Sequence, residues 1–190
     1  MGLKYQLCVS GGSKGESVEK GRELAKLAGE AIAKGGHALM TGATIGLPHY
    51  AAVAYKKAGG KNSIGISPAT SKVEHVLKYR LPLEPYDAIL YTGMHYVGRD
   101  SLLITSSDAV LSIGGRLGTL HEATIAIQTE TPIAFLEHTG GTSDEIRGVL
   151  KAAGREPSEN ILFGDNPIEL LVRLIELLDN DHKKYKTIYA

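Results

Sequence analysis

Residues 109–122 read AVLSIGGRLGTLHE, an apolar run that ends in a glycine-rich turn and continues into a helical pattern. The same succession of buried strand, glycine turn and helix occurs twice before it, in residues 5–32 and 37–58. Strands joined in this way are parallel, because a parallel pair needs a crossover connection. The repeated unit therefore predicts an α/β fold, a doubly wound Rossmann-like parallel sheet with helices on both faces.

Hydrophobic periodicity gives approximate bounds for the elements. The predicted strands are residues 5–10, 37–41, 62–66, 87–91, 109–113 and 132–136. Three predicted helices end near residues 32, 58 and 129. Three more cover residues 100–106, 143–153 and 167–178. Residues 67–85 form a proline-punctuated excursion that is long enough for a functional loop or lid. Residues 161–163 are apolar but stay unassigned.

The composition indicates one compact domain and excludes several classes of partner. Of the 190 residues, 43% are hydrophobic and 22% charged, and we expect a single domain over residues 1–180 followed by a polar tail over 181–190. Lys plus Arg equals Asp plus Glu at 21 each, so no overall field attracts nucleic acid or an anionic membrane. Cys8 stands alone in an apolar run and is expected to be a small core residue. Without a signal-peptide pattern or a long apolar stretch, a cytoplasmic location is expected.

Three glycine clusters follow predicted strands and predict a binding site at the carboxyl edge of the sheet. They lack the spacing of a Walker phosphate loop and of the dinucleotide-binding fingerprint. Backbone amides after such turns bind phosphate at a helix N-terminus, although tight turns alone would also use glycine. The candidate ligand-binding residues are Ser10, Gly11, Gly12, Ser13, Thr41, Gly42, Gly46, Gly114, Gly115, Arg116, Gly118 and Thr119.

Other reactive residue types show no motif. The seven histidines have no metal-ligand spacing, since Ile125 stands where an H-E-x-x-H motif needs its second histidine, and we expect no metal site. No serine lies in a G-x-S-x-G nucleophile elbow. His95 and Tyr96 follow the fourth predicted strand, where they either contact a base or only form a loop.

The pattern Gly114-Gly115-x-x-Gly118-Thr119-x-x-Glu122 resembles the GGxGTxxE motif of the Lonely Guy (LOG) family. These proteins are Rossmann-like phosphoribohydrolases of the SLOG superfamily that were once labelled lysine decarboxylases. The likeness continues in TGATIGL at residues 41–47, in residues 51–68 and in Gly98-Arg99-Asp100. It covers about residues 5–136 and keeps the order and spacing of the motifs.

Three positions depart from the family pattern. Ala43 stands where the family usually has glycine, Pro48 where methionine is usual, and Asp100 where the hydrolases carry a lysine after the family arginine. An arginine without that lysine is similar to the related branch of molybdenum-cofactor carrier proteins. The resemblance therefore implies a phosphorylated ligand, either a nucleoside 5'-monophosphate or molybdopterin, and no further required cofactor.

The resemblance also implies roles for two charged residues. Glu122 would be catalytic, by stabilising an oxocarbenium-like ribosyl centre or orienting the attacking water. Arg99 would face the ligand, pairing its phosphate or holding Glu122. Two plainer interpretations stay open. Thr119-x-x-Glu122 fits a capping box, which places the glutamate at a helix N-terminus where it stays ionised, and Arg99 would be a solvated cation before a helix capped by Asp100.

These observations favour an enzyme that hydrolyses the N-glycosidic bond of a nucleoside 5'-monophosphate to free base and ribose 5-phosphate. The alternative is a non-catalytic molybdenum-cofactor carrier with the same pocket. The resemblance implies a homodimer, and the helices after Gly46 and Gly118 offer apolar faces, with residues such as Ala123, Ala126 and Ile127, that one sheet face does not exhaust.

Overall fold

The computed structural model describes residues 4–183, in which strands and helices alternate throughout. In that part of the chain the strands are β1 (Gln6–Gly11), β2 (Ala38–Thr41), β3 (Ser63–Ser67), β4 (Ala88–Tyr91), β5 (Ala109–Ile113), β6 (Ile133–Leu136) and β7 (Ile161–Gly164). The helices are α1 (Glu16–Lys34), α2 (Leu47–Lys57), α3 (Lys72–Leu77), α4 (His95–Thr105), α5 (Leu117–Gln128), α6 (Thr142–Ala152) and α7 (Pro167–His182).

The strands of residues 4–183 form one parallel sheet in the order β4-β3-β2-β1-β5-β6-β7. In register, Cys8 pairs with Met40 on one side and with Val110 on the other. The chain starts in the middle of the sheet, winds to one edge, and then returns to β5 on the other side of β1. This topology confirms the predicted doubly wound fold and leaves a crevice at the carboxyl ends of β1 and β5.

Two apolar layers cover the sheet, one on each face. On one face α1, α2 and α7 cover side chains such as Leu7 and Leu111, and on the other α4, α5 and α6 cover Cys8 and Val110. Cys8 is fully buried in this second layer, as predicted for a small core residue. Helices α1 and α2 approach closely because Gly29 lies on the backbone of Ala51, where an added Cβ would clash with the carbonyl oxygen.

Most bounds differ from the sequence prediction by one or two residues, and larger differences occur at four places. The excursion after β3 contains the short helix α3, capped by the Ser71 hydroxyl, which accepts from the Glu74 amide. Helix α4 begins at His95 instead of residue 100, and residues 161–164 form the edge strand β7. Helix α7 continues to His182, so the predicted tail is helical at residues 181–182, whereas residues 184–190 lie outside the described part.

Candidate functional site

A cavity of about 440 Å³ opens where the strand order reverses, at the carboxyl ends of β1, β2 and β5. Ligands bind at this position in doubly wound folds, because the two loops beside it diverge. Its walls are the ends of these strands, the start of α2 and parts of α4 and α5. The lining residues are Val9, Ser10, Gly11, Ser13, Gly42, Thr44, Pro48, Tyr96, Arg99, Asp100, Arg116, Leu117, Gly118, Thr119 and Glu122.

Most of the residues singled out in the sequence line this cavity, and five do not. The five are Gly12, Thr41, Gly46, Gly114 and Gly115. The cavity also has lining residues that the sequence did not single out as ligand contacts. These are Val9, Thr44, Pro48, Asp100 and Leu117, together with Tyr96, for which a base contact was left open.

The amides of Gly114 and Gly115 are used inside the protein. Gly114 N–H donates to Thr139 Oγ1 at 3.0 Å, and Gly115 N–H donates to Ser17 Oγ at 3.3 Å. The Thr119 side chain packs over Gly115, where an added Cβ would collide with it. These bonds tie the turn after β5 to its neighbours, so the donors open to a ligand lie further along the chain.

Thr41, Gly12 and Gly46 shape the neighbouring turns. Thr41 Oγ1 donates to the Tyr86 hydroxyl at 3.0 Å and accepts from the Ala43 amide at 3.1 Å. Gly12 accepts at its carbonyl from the Leu47 amide at 2.8 Å, and an added Cβ at Gly46 would clash there. Ala43 has φ of 51°, in the left-handed region that favours glycine, which gives a physical reason for the glycine usual in the family that this segment resembles.

The first turn of α5 provides the open amides. The first hydrogen bond of the helix runs from the Leu120 amide to the Arg116 carbonyl at 2.9 Å. The amides of Leu117, Gly118 and Thr119 come before it and therefore have no acceptor within the helix. All three residues line the cavity, and nothing lies within 4 Å of where a Gly118 Cβ would be. With the exposed Arg116 beside them, these amides have the arrangement that binds anions at helix N-termini in other proteins.

Glu122 does not cap α5, so the capping-box interpretation is wrong. The N-cap is Arg116, which places Thr119 inside the first turn and Glu122 in the second. The side chain of Glu122 is 11% exposed and accepts hydrogen bonds from the Ser10 hydroxyl and from Arg99 Nη1, the latter at 3.3 Å. Its partners thus come from β1 and α4, and it lies on the cavity floor.

Arg99 is a buried residue within α4, so the interpretation of a solvated cation before a helix capped by Asp100 is also wrong. Its side chain is 4% exposed, with Nη1 3.3 Å from Glu122 Oε1 and Nη2 3.4 Å from Asp100 Oδ1. The guanidinium lies over Gly42, where an added Cβ would clash with it. Nε is buried without a hydrogen-bond partner among residues 4–183.

Asp100 completes a buried cluster of charges that the sequence did not predict. Its Oδ2 contacts His121 Nδ1 at 2.9 Å, and the His121 side chain is 37% exposed to solvent. Burial raises the pKa of Glu122 to about 7; Arg99 lowers this pKa, and the neighbouring Asp100 carboxylate raises it. The expectation that Glu122 stays ionised at a helix N-terminus loses its premise, because Glu122 lies in the second turn of α5 and burial raises its pKa.

Two further properties bear on possible ligands. Within residues 4–183, no group of three or more His, Cys, Asp or Glu side chains is arranged to hold a metal ion. No helix in the same part of the chain is both long and apolar enough to cross a membrane.

Comparisons with known proteins agree with this fold. A relative from Archaeoglobus fulgidus, described as an uncharacterized protein, is 32% identical over 123 residues, which is 65% of this chain and 75% of the relative. The X-ray structure of TM1055 superposes with a TM-score of 0.76 at 25% identity, over 92% of this chain and 99% of that chain. The molybdenum cofactor binding protein from the phototrophic bacterium Rippkaea orientalis superposes with a TM-score of 0.71 at 25% identity, over 93% of this chain and 98% of that chain.

The family is given by a match over most of the sequence. The model of the SLOG cluster4 family (LDcluster4) matches residues 4–170, which include every residue that lines the cavity and all seven strands described above. The chain therefore belongs to the SLOG cluster4 family and has a Rossmann-like fold.

Proposed function

We propose that the cavity binds a phosphorylated heterocycle, with its phosphate on the first turn of α5. The observation that carries this proposal is the set of open amides at Leu117, Gly118 and Thr119 beside the exposed Arg116. Phosphate at a helix N-terminus gains both hydrogen bonds and the helix dipole. The volume of about 440 Å³ is within the usual range for small-molecule sites.

In its finer form the proposal is a nucleoside 5'-monophosphate phosphoribohydrolase. Glu122 and Asp100 lie together at the cavity with Arg99 between them, and the raised pKa of Glu122 lets it hold a proton near neutral pH. Hydrolysis adds hydroxide from water to the ribose C1' and leaves a proton on the departing base, so one carboxyl group assists departure while negative charge stabilises the oxocarbenium-like centre.

A second candidate is a carrier that holds molybdopterin without turnover. Asp100 stands where the hydrolases of the Lonely Guy family have lysine, and the Rippkaea orientalis neighbour is named for binding the molybdenum cofactor. The same open amides on α5 would bind the phosphate of the cofactor. In this function Arg99 and Glu122 would shape the pocket and would not act on a bond.

Turnover distinguishes the two candidates. The purified chain is incubated with AMP and isopentenyladenosine monophosphate, and released base is measured by chromatography. The hydrolase predicts free base and ribose 5-phosphate, with a loss on the order of 10²-fold in Glu122→Gln. Measurable binding of these nucleotides with no release of base would contradict the hydrolase and favour the carrier.

Arg116→Ala tests the position of the phosphate. It removes the exposed cation beside the open amides and should weaken AMP binding by about tenfold while leaving adenosine binding unchanged. Arg22→Ala, on α1 and outside the cavity lining, is the control. Equal loss for AMP and adenosine in Arg116→Ala would contradict a phosphate at this end of α5.

We also propose a homodimer, on a surface different from the one the sequence suggested. Ala123 and Ala126 are buried inside the chain and are not available to a partner. Exposed apolar side chains lie instead on α3, β4 and α4, at one edge of the sheet, and include Leu77, Leu90 and Val97. A cytoplasmic location and the absence of a nucleic-acid partner stay predictions.

A further inference from the structure

Tyr96 forms part of the cavity wall on the first turn of α4. It is 45% exposed and lines the same cavity as the first turn of α5. The guanidinium carbon of Arg99, one turn further along α4, is 5.8 Å from the centre of the Tyr96 ring. An aromatic ring is therefore available to a ligand whose phosphate lies on the α5 side of the cavity.

The excursion between β3 and β4 holds this ring in place. The Tyr79 ring packs against Tyr96 with 5.5 Å between the ring centres and an angle of 83°. The Tyr79 hydroxyl is 2.8 Å from Nδ1 of His95, which directly precedes Tyr96 and has φ of 53°. These contacts restrict the orientation of Tyr96 before a ligand arrives, so little conformational freedom is lost on binding.

We propose that Tyr96, supported by Tyr79 and His95, contacts the planar ring of the ligand and selects heteroaromatic ligands over a bare sugar phosphate. Residues 67–85 then have a definite role, which is to position the selecting side chain. The inference rests on the proposed function in its coarser form, the binding of a phosphorylated heterocycle. It does not depend on whether the ligand is hydrolysed.

Two probes separate ring recognition from phosphate recognition. Formycin 5'-monophosphate is a C-nucleoside analogue of AMP, has no N-glycosidic bond to cleave, and carries the ring, the ribose and the phosphate. Ribose 5-phosphate lacks the ring. Affinities of both are measured by calorimetry for the parent chain and for Tyr96→Ala, Tyr96→Phe and Tyr79→Ala. Val172→Ala, at a half-exposed position on α7 away from the cavity, is the control.

The expected result is a loss that depends on the ring. A contact between an aromatic side chain and a base contributes about five- to 150-fold in affinity. Tyr96→Ala should therefore weaken formycin 5'-monophosphate binding by about tenfold or more and leave ribose 5-phosphate binding within about twofold. Tyr96→Phe should bind like the parent, Tyr79→Ala should show a smaller loss for the formycin nucleotide only, and Val172→Ala should show none.

The opposite outcomes are equally distinct. Equal losses for both probes in Tyr96→Ala, or no loss for either, would overturn the inference that Tyr96 selects the ring. A parent chain that binds ribose 5-phosphate as tightly as the nucleotide would also overturn it. A parent chain that binds neither probe would overturn the proposed function itself, and circular dichroism of each variant shows that a loss is not due to unfolding.

Discussion

Replacing Glu122 by glutamine removes a titratable group from the cavity floor and keeps the size of the side chain. Burial raises the pKa of Glu122 from 4.5 to about 7 in the folded chain, whereas the unfolded chain exposes the carboxyl group to water. Between these two pH values the folded state keeps a proton that the unfolded state has released. The parent chain should therefore lose stability as the pH rises through this window, and Glu122→Gln should lose less.

The magnitude follows from the size of the pKa shift. One pKa unit corresponds to about 1.4 kcal/mol in the free energy of unfolding. Because the two pKa values bound the window, most of the change in stability occurs between about pH 5 and about pH 8. Over that interval the parent should lose roughly 2–3 kcal/mol more than the variant. The glutamine leaves either Ser10 or Arg99 facing an amide N–H, and this cost is the same at both pH values and cancels in the difference.

Urea unfolding at the two pH values measures the effect. Glu23→Gln, whose parent side chain on α1 is 76% exposed, is the matched control, because water solvates that carboxylate in the folded and unfolded chains alike. The free energy of unfolding of the control should change between the two pH values as that of the parent does. If Glu122→Gln also follows the parent, or if the parent becomes more stable relative to the variant towards the higher pH, the account of a buried protonated carboxyl group is wrong.

Other changes test the cluster and the assembly. Gly42→Ala should displace the Arg99 guanidinium and weaken AMP binding by about tenfold, whereas Gly148→Ala on α6 meets no atom within 4 Å and should raise stability by about 0.5–1 kcal/mol in thermal unfolding. Asp100→Asn removes the negative charge that raises the pKa of Glu122, so the pH profile of base release should shift to lower pH, and an unchanged profile would contradict the coupling. Light scattering should give twice the chain mass of 20.2 kDa, and a stable monomer at micromolar concentration would contradict the dimer.

Much of the fold was predictable because its signals are local. Strand β5 was predicted with the bounds that the structure has, since residues 109–113 are uninterrupted apolar or small residues ended by glycine. The start of α4 was missed because its N-cap, Met94, has no side chain that accepts a hydrogen bond. Helix α3 was missed because six residues are too short for a clear helical periodicity. Strand β7 was missed because its apolar run covers only three residues, 161–163, which do not distinguish a strand from a loop.

The site was predictable in position but not in its electrostatics. The glycine turns located the edge of the sheet, and the motif ending in Glu122 located the floor of the cavity. Which amides are open depends on Thr139 and Ser17, which come from distant loops and cannot be paired with the turn from sequence alone. The role of Asp100 likewise depends on the packing of α4 against α5, which places it beside His121.

The position of a bound phosphate tests the central claim most directly. A crystal structure of the chain with AMP, or with the ribose 5-phosphate that remains after cleavage, should show phosphate oxygens about 3 Å from the amide nitrogens of Gly118 and Thr119. Arg116 should approach the same phosphate group. A phosphate bound instead at the turn formed by residues 11–15, or outside the cavity, would contradict the account.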